Sequence, residues 1–130
     1  MKSINRKVIT YGTFDVFHYG HFFLLERAKL LGSHLTVAVS SDAFNLKKGK
    51  KSKLTCEERV RILESIEFID KVILEETWDQ KVEDIKKYNV DIFVIGDDWS
   101  GHFDFLSEYC EVLYLPRTQG ISSSLIKNSL

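Results

Sequence analysis

Five short apolar runs alternate with segments that predict helices, and this alternation constrains the fold of the 130-residue chain. The runs are 8–10, HLTVAVS at 34–40, KVILE at 71–75, DIFVIG at 91–96 and EVLYLP at 111–116. The predicted helices cover 21–31, a segment opened by the capping box of Thr55 and Glu58, 79–89, 103–109 and 121–129. Strands that alternate with helices form a parallel sheet joined by crossovers.

The chemically rich segments all follow the predicted strands. They are YGTFDVFHYGH at 11–21, SSDAFNLKKGKK at 40–51, GDDW at 96–99 and RTQGISSS at 117–124. In an open parallel sheet, ligands bind beyond the carboxyl ends of the strands, where the strand order reverses. We therefore predict one α/β domain over residues 1–130, with a Rossmann-like, doubly wound parallel sheet of five strands, helices on both faces and a binding site at one edge.

Composition excludes several classes of protein. Lys and Arg total 18 against 19 for Asp and Glu, so overall charge gives no reason to expect a nucleic-acid partner. No apolar run approaches the roughly 20 residues that span a bilayer, and the N-terminus reads as a first strand and not as a signal peptide. Cys56 and Cys110 lie far apart without a CxxC pattern, which indicates reduced thiols in a cytoplasmic protein.

Two histidines mark the first strand-to-helix turn. His18 and His21 are three residues apart, with Gly20 between them. They could have no role, or bind a metal, but a zinc site needs further ligands and none with suitable spacing is near. We favour anion binding, because a helix N-terminus offers free backbone N–H groups and glycine lets a phosphate approach the backbone.

Two further segments offer positive or hydroxyl groups at the same edge. The stretch LKKGKKSK at 46–53 is either a solvated loop or a basic loop that closes on a polyanion, and the sequence leaves both open. The serines of 122–124 either cap the last helix or, with Arg117 and Gly120, hold a second anion. Asp98 either belongs to a turn with no further role, or its carboxylate binds a metal ion or an active-site arginine. Two anion sites suggest a triphosphate, or a nucleotide beside a phosphorylated substrate.

Two motifs carry a resemblance to known enzymes. GTFDVFHYGH resembles the HxGH signature of the nucleotidyltransferase superfamily, and RTQGISSS resembles the RTxGIS[ST][ST] signature of its cytidylyltransferase branch. ITYGTFD, LLERAK, FNLKK, ILESI, GDDW and FDFL extend the likeness to bacterial glycerol-3-phosphate cytidylyltransferases over nearly the whole chain. The resemblance implies a small cytoplasmic homodimer of teichoic acid synthesis that makes CDP-glycerol from CTP and glycerol 3-phosphate, with Mg²⁺ bound through the nucleotide phosphates.

The resemblance also implies roles for individual residues. His18, His21, Lys48, Lys50 and Arg117 would be catalytic. Lys48 and Lys81 would lie on the acceptor side. The positions implied for CTP binding are Thr13, Phe14, His18, Tyr19, Gly20, His21, Lys50, Asp98, Arg117, Thr118, Gly120, Ile121, Ser122, Ser123 and Ser124.

Two departures from the family pattern keep alternatives open. Ser123 and Ser124 stand where the family usually has threonines, which keeps the hydroxyls. Glu67 stands where the family often has arginine, so phosphocholine, phosphoethanolamine and other small phosphorylated alcohols remain alternative acceptors. Two other functions are an adenylyltransferase of the same superfamily, against which Lys127 and the preceding RTQG argue, and a catalytically silent nucleotide-binding module.

Overall fold

The computed structural model describes residues 5–116, which form a five-stranded, entirely parallel sheet with the strand order β3-β2-β1-β4-β5. The strands are β1 (Lys7–Gly12), β2 (His34–Ser40), β3 (Lys71–Glu75), β4 (Ile92–Gly96) and β5 (Glu111–Leu115). The predicted α/β fold is confirmed. The strand order reverses between β1 and β4, so their carboxyl ends form the point at which ligands bind in such sheets.

Side chains that alternate along the central strands fill two cores, one on each face of the sheet. Val8, Leu35 and Ile92 lie in one core, beneath α1 (Tyr19–Leu30) and α3 (Cys56–Glu64). Ile9 and Phe93 lie in the other, beneath α4 (Gln80–Lys87) and a 3₁₀ turn, Asp104–Glu108. Because successive residues of a strand point to opposite faces, nearly continuous apolar strands bury both sides of the sheet.

Two segments differ from the sequence-based expectation. α2 (Asp42–Lys47) is absent from the predicted helices and reaches into the predicted loop at 46–53. The Ser41 side chain accepts a hydrogen bond from the backbone N–H of Phe44 and begins this short helix. The helix predicted at 103–109 is instead the 3₁₀ turn Asp104–Glu108. Its N-cap Phe103 and its residue Leu106 are both buried, three residues apart, which is the period of a 3₁₀ helix. The helix predicted at 121–129 lies outside the described residues.

The ends of two helices agree with the expected signals. Thr55 and Glu58 form the predicted capping box of α3. Asn89, predicted to end α4, adopts the left-handed conformation with φ of 53°. Among residues 5–116, no helix combines the length and the apolar character needed to cross a bilayer.

Gly32 follows α1 at a close approach between backbone segments. A Cβ at this position would lie 2.3 Å from the backbone oxygen of Arg6, the same oxygen that accepts the N–H of Ser33 at 2.9 Å. Rigid backbone cannot move aside as a flexible side chain does, so the site requires glycine.

We predict that Gly32→Ala lowers the free energy of unfolding by about 1–3 kcal/mol, the cost of overpacking a well-ordered site. Gly96→Ala is the matched control, because a Cβ there meets open space, and its effect should stay within about 0.5 kcal/mol. Urea unfolding measures both. Equal stability of the two variants would contradict the close approach at Gly32.

Candidate active site

A cleft of about 710 Å³ opens at the carboxyl edge of the sheet. Its walls come from the segments that follow β1, β2, β3 and β4, so four separate parts of the chain meet there. The lining residues are Tyr11, Gly12, Thr13, Phe14, Asp15, His21, Lys47, Lys48, Lys50, Lys51, Ser52, Glu75, Trp78, Lys81, Ile95, Trp99 and Phe103. The cleft therefore lies where the strand order predicts a ligand site.

The two histidines begin α1 and cap it reciprocally. Nδ1 of His18 accepts the backbone N–H of Gly20 at 3.0 Å, and Nδ1 of His21 accepts the backbone N–H of His18 at 3.3 Å. Their rings stack with centroids 4.0 Å apart. Since each Nδ1 is an acceptor, the proton of each neutral ring resides on Nε2. The capping arrangement thus turns both imidazoles into donors with a fixed orientation.

His21 is held in its neutral form. Burial lowers the pKa of His21 to about 4 and the neighbouring His18 adds to this, while Asp15 acts in the opposite direction. The rings of Phe14 and Phe17 lie with centroids 5.6 and 5.3 Å from the His21 ring and supply apolar surroundings. At neutral pH, His21 therefore offers a hydrogen bond without a full positive charge.

The loop before the histidines has a constrained backbone. Phe14 and Val16 both have positive φ, 55° and 45°, a conformation that side chains other than glycine seldom adopt. A Cβ at Gly20 would lie 2.7 Å from Cε1 of His18, so any larger residue would displace that ring. The glycine between the histidines therefore makes room for the capping imidazole, a reason that sequence analysis did not identify.

Arg59 of α3 lies beneath the cleft with a fully buried side chain. Its Nη1 donates to the backbone oxygens of Thr13 at 2.9 Å and Ser40 at 2.7 Å. Its Nη2 pairs with Asp42 at 2.7 Å, and its Nε donates to the backbone oxygen of Leu54 at 3.3 Å. One guanidinium thus joins the ends of β1 and β2 to the starts of α2 and α3.

Asp15 provides a second connection between the histidine loop and the lysine-rich segment. Its carboxylate accepts the backbone N–H groups of Lys53 at 2.8 Å and Leu54 at 3.0 Å. Burial opposes ionisation of Asp15, but these two hydrogen bonds hold its pKa below the usual range. The segment that carries Lys50 is therefore anchored just beyond that residue.

A buried ion pair lies in the wall of the cleft that follows β3. Nζ of Lys81 contacts Oε2 of Glu75 at 2.6 Å, and both side chains are almost fully buried. Oε1 of Glu75 accepts the hydroxyl of Ser40 at 3.3 Å, and that hydroxyl accepts from Nζ of Lys48 at 2.9 Å. Burial lowers the pKa of Lys48, while the carboxylate of Glu75 acts in the opposite direction. Sequence analysis identified the two lysines but not Glu75.

Of the sequence-predicted residues that the structure describes, most lie in or beside this cleft. Thr13, Phe14, His21, Lys48, Lys50 and Lys81 line it, and His18 stacks on His21. Tyr19 is exposed at the start of α1, and Asp98 is exposed in the turn that follows β4. The predicted second anion site lies outside the described residues: Arg117, Thr118, Gly120, Ile121, Ser122, Ser123 and Ser124.

Sequence analysis missed several residues of the site, among them Arg59, Glu75 and Trp78. Only Arg59 left a usable signal, since positions 59 and 63 lie one turn apart on the same face of α3 and Leu63 packs into the core. A charged residue on such a face indicates a buried polar contact. Among residues 5–116, no group of three or more His, Cys, Asp or Glu side chains is arranged to hold a metal ion.

Comparison with known proteins identifies the family. The model of the cytidylyltransferase-like family matches residues 9–129. The chain belongs to the cytidylyltransferase-like family. The resemblance drawn from the two motifs is thereby confirmed, and the carboxyl-edge cleft is the candidate active site of a family member.

Individual relatives agree with this assignment, and one solved structure shares the fold. A Bacillus spizizenii protein named glycerol-3-phosphate cytidylyltransferase is 61% identical over 125 residues, covering 96% of this chain and 97% of the relative. The Staphylococcus aureus protein of that name is 54% identical over 96% of this chain and 95% of its own length. The structure of a lipopolysaccharide core biosynthesis protein from Thermoplasma volcanium shares the fold, with a TM-score of 0.78, 22% identity and coverage of 88% of this chain and 98% of that one.

We predict that His21 titrates at about pH 4, below the ordinary value of 6.5. Between these values the unfolded state binds more protons than the folded state, so the free energy of unfolding should fall as the pH is lowered through this window. NMR titration of the histidine Cε1 protons measures the pKa directly. His21→Asn, which keeps an acceptor for the His18 N–H, should flatten the pH dependence of stability. Titration of His21 near pH 6.5 would contradict the burial.

We also predict that Arg59→Met lowers the free energy of unfolding by about 3–5 kcal/mol, because buried carbonyl groups lose their donors at about 1–3 kcal/mol each. Arg61→Met on the same helix is the control. Arg61 pairs with Glu57 in an exposed i,i+4 contact, which is worth about 0.3–0.5 kcal/mol. Urea unfolding of both variants tests this difference, and equal losses would show that Arg59 does not hold the four segments together.

Proposed function

We propose that the chain transfers CMP from CTP to glycerol 3-phosphate, forming CDP-glycerol and pyrophosphate. The observation that carries this proposal is the cleft itself, which is lined by a group of lysines and by His21, the ring on which His18 stacks. The relatives named glycerol-3-phosphate cytidylyltransferase, which align over nearly their full length, support the choice of reaction. We extend the proposal to a homodimer that acts in the cytoplasm in teichoic acid synthesis.

The proposed chemistry is a direct in-line displacement. An oxygen of the acceptor phosphate attacks the α-phosphorus of CTP, a new P–O bond forms, and the bond to the β-phosphate oxygen breaks with release of pyrophosphate. A phosphate monoester is already an anionic nucleophile near neutral pH, so the protein needs no strong base. Catalysis then depends on positioning the reactants and on stabilising charge in the transition state.

The residues of the cleft suit these two tasks. Nε2–H groups of His18 and His21 donate to phosphate oxygens of CTP, and the fixed stack of the two rings means that little reorganisation is needed. Lys48, half-buried against Ser40, receives the acceptor phosphate, and Lys50 offsets the charge of CTP. Arg117 remains a predicted partner of the leaving pyrophosphate.

We propose that Mg²⁺ arrives with CTP, bound to the phosphate oxygens. No cluster of three metal-binding side chains occurs within the described part of the chain, which fits an ion held by the nucleotide and by water. When bound, the ion neutralises part of the triphosphate charge. The residues of the cleft then supply orientation and the remaining positive charge.

A substrate panel tests the reaction. The protein is incubated with Mg²⁺ and each nucleoside triphosphate in turn, and pyrophosphate release is measured with glycerol 3-phosphate, phosphocholine and phosphoethanolamine. We expect the highest kcat/KM for CTP with glycerol 3-phosphate. Preference for ATP would indicate an adenylyltransferase, preference for an aminoalcohol phosphate a different acceptor, and CTP binding without turnover a silent module.

We predict that His18→Ala and His21→Ala each lower kcat by about 10²- to 10³-fold, the range for loss of one preorganised donor. The KM for CTP should change much less, because the donors act most strongly on charge that develops in the transition state. His34→Ala is the control, since His34 begins β2 at the opposite edge of the sheet. Near-normal kcat in either variant of the histidine pair would remove that residue from the catalytic group.

A further inference from the structure

The ammonium group of Lys81 lies among three aromatic rings. Its Nζ is 4.8 Å from the ring centroid of Tyr11, 5.4 Å from that of Trp78 and 5.2 Å from that of Phe103. We call these three residues the aromatic box. All three rings lie within the distance at which a cation is attracted to the face of an aromatic ring. All three also line the cleft, so the aromatic box is part of the candidate active site.

Glu75 completes the surroundings of Lys81 with a carboxylate. The two side chains are 4% and 3% exposed and in direct contact, so the pair is electrically neutral and nearly dry. Burial raises the pKa of Tyr11 and its hydroxyl donates to Asp84 at 2.7 Å, so Tyr11 presents an uncharged ring to the aromatic box. Aromatic faces together with a buried carboxylate are the groups that recognise an ammonium ion, and here the chain's own lysine fills that position.

The aromatic box adjoins the position proposed for the acceptor phosphate. Lys48 and Lys81 both lie over the ring of Trp78, with Nζ to centroid distances of 5.6 and 5.4 Å. Ser40 links the two through hydrogen bonds to Lys48 and to Glu75. An acceptor with its phosphate on Lys48 would therefore have Lys81 within reach of a short organic tail that runs along Trp78.

We propose that Lys81 is a specificity-determining residue that occupies the aromatic box and thereby excludes acceptors with a cationic tail. This proposal rests on the proposed function, since it concerns which phosphorylated alcohol enters the cleft. A trimethylammonium or primary ammonium tail meets a like charge and a filled site, whereas the neutral hydroxyls of glycerol 3-phosphate meet an ammonium donor. Selection thus works by blocking the wrong tail as well as by bonding to the right one.

The test compares Lys81→Met with Lys81→Arg. Methionine is one atom shorter than lysine and uncharged, so the position that Nζ takes among the three rings, next to Glu75, becomes available to a cationic tail. Arginine keeps the charge and serves as the control. The measured quantity is the kcat/KM for phosphocholine and for phosphoethanolamine divided by that for glycerol 3-phosphate. We expect this ratio to rise by about 10- to 100-fold in Lys81→Met. An unchanged ratio in folded Lys81→Met would overturn the proposal.

A double variant guards against loss of folding. Lys81→Met leaves the buried carboxylate of Glu75 without its counter-ion, so Lys81→Met with Glu75→Gln opens the aromatic box without an unpaired charge. Circular dichroism establishes that each variant is folded. We expect the ratio to rise in the double variant also, by less than in the single variant because the carboxylate is absent. No rise in the folded double variant would also overturn the proposal.

A choline-binding assay tests the aromatic box independently of the proposed reaction. The chain has two tryptophans, Trp78 and Trp99, so Trp99→Phe leaves Trp78 as the fluorescent reporter in the aromatic box. In that background, choline should quench the fluorescence of Lys81→Met and leave that of Lys81→Arg unchanged. If the wild-type protein failed to use glycerol 3-phosphate, the reaction would be refuted while choline binding still reported on the aromatic box. Absence of quenching in Lys81→Met would refute the aromatic box itself.

Discussion

The guanidinium of Arg59 is the contact on which the geometry of the carboxyl edge depends. Its Nη1 donates to the backbone oxygens of Thr13 and Ser40, which lie at the ends of β1 and β2. Its Nη2 donates to the carboxylate of Asp42. A planar group with donors in fixed directions can satisfy all of these acceptors at once, which a lysine ammonium cannot do with the same geometry. The histidine loop and the lysine-rich segment are consequently held against a common buried point, and Asp15 adds a second tie between them.

The charged groups of the cleft differ between its buried wall and its solvent-exposed side. Glu75 neutralises Lys81 in the interior, and His21 stays uncharged through burial, so neither Lys81 nor His21 adds a free positive charge to the cleft. Lys48 and Lys50 lie nearer to solvent and remain available to anions. A site for two anionic reactants needs positive charge, but cations crowded together in a buried wall would repel one another and be costly to desolvate. The cleft avoids this cost because its buried groups are neutral, while the positive charges of Lys48 and Lys50 lie nearer to solvent.

The sequence predicts the strands and the main helices because both have local signals. Nearly continuous apolar runs indicate strands buried on both faces, and the Thr55–Glu58 capping box indicates where α3 begins. α2 was missed, since its two buried side chains, Phe44 and Asn45, are too few to produce a periodic pattern. The pairing of Glu75 with Lys81 joins the end of β3 to the start of α4, and only the folded turn between them brings the two charges together.

Glu67 lies too far from the cleft to contact an acceptor bound there. Glu67 is exposed in the turn that follows α3 and lies before the start of β3, whereas the cleft lies beyond the end of that strand at Glu75. Strand β3 alone spans roughly 13 Å at about 3.3 Å per residue. A charge at that distance and in contact with water is screened at physiological ionic strength. The residues positioned to distinguish a cationic from a neutral tail are therefore Glu75 and Lys81, which are buried in the wall of the cleft itself.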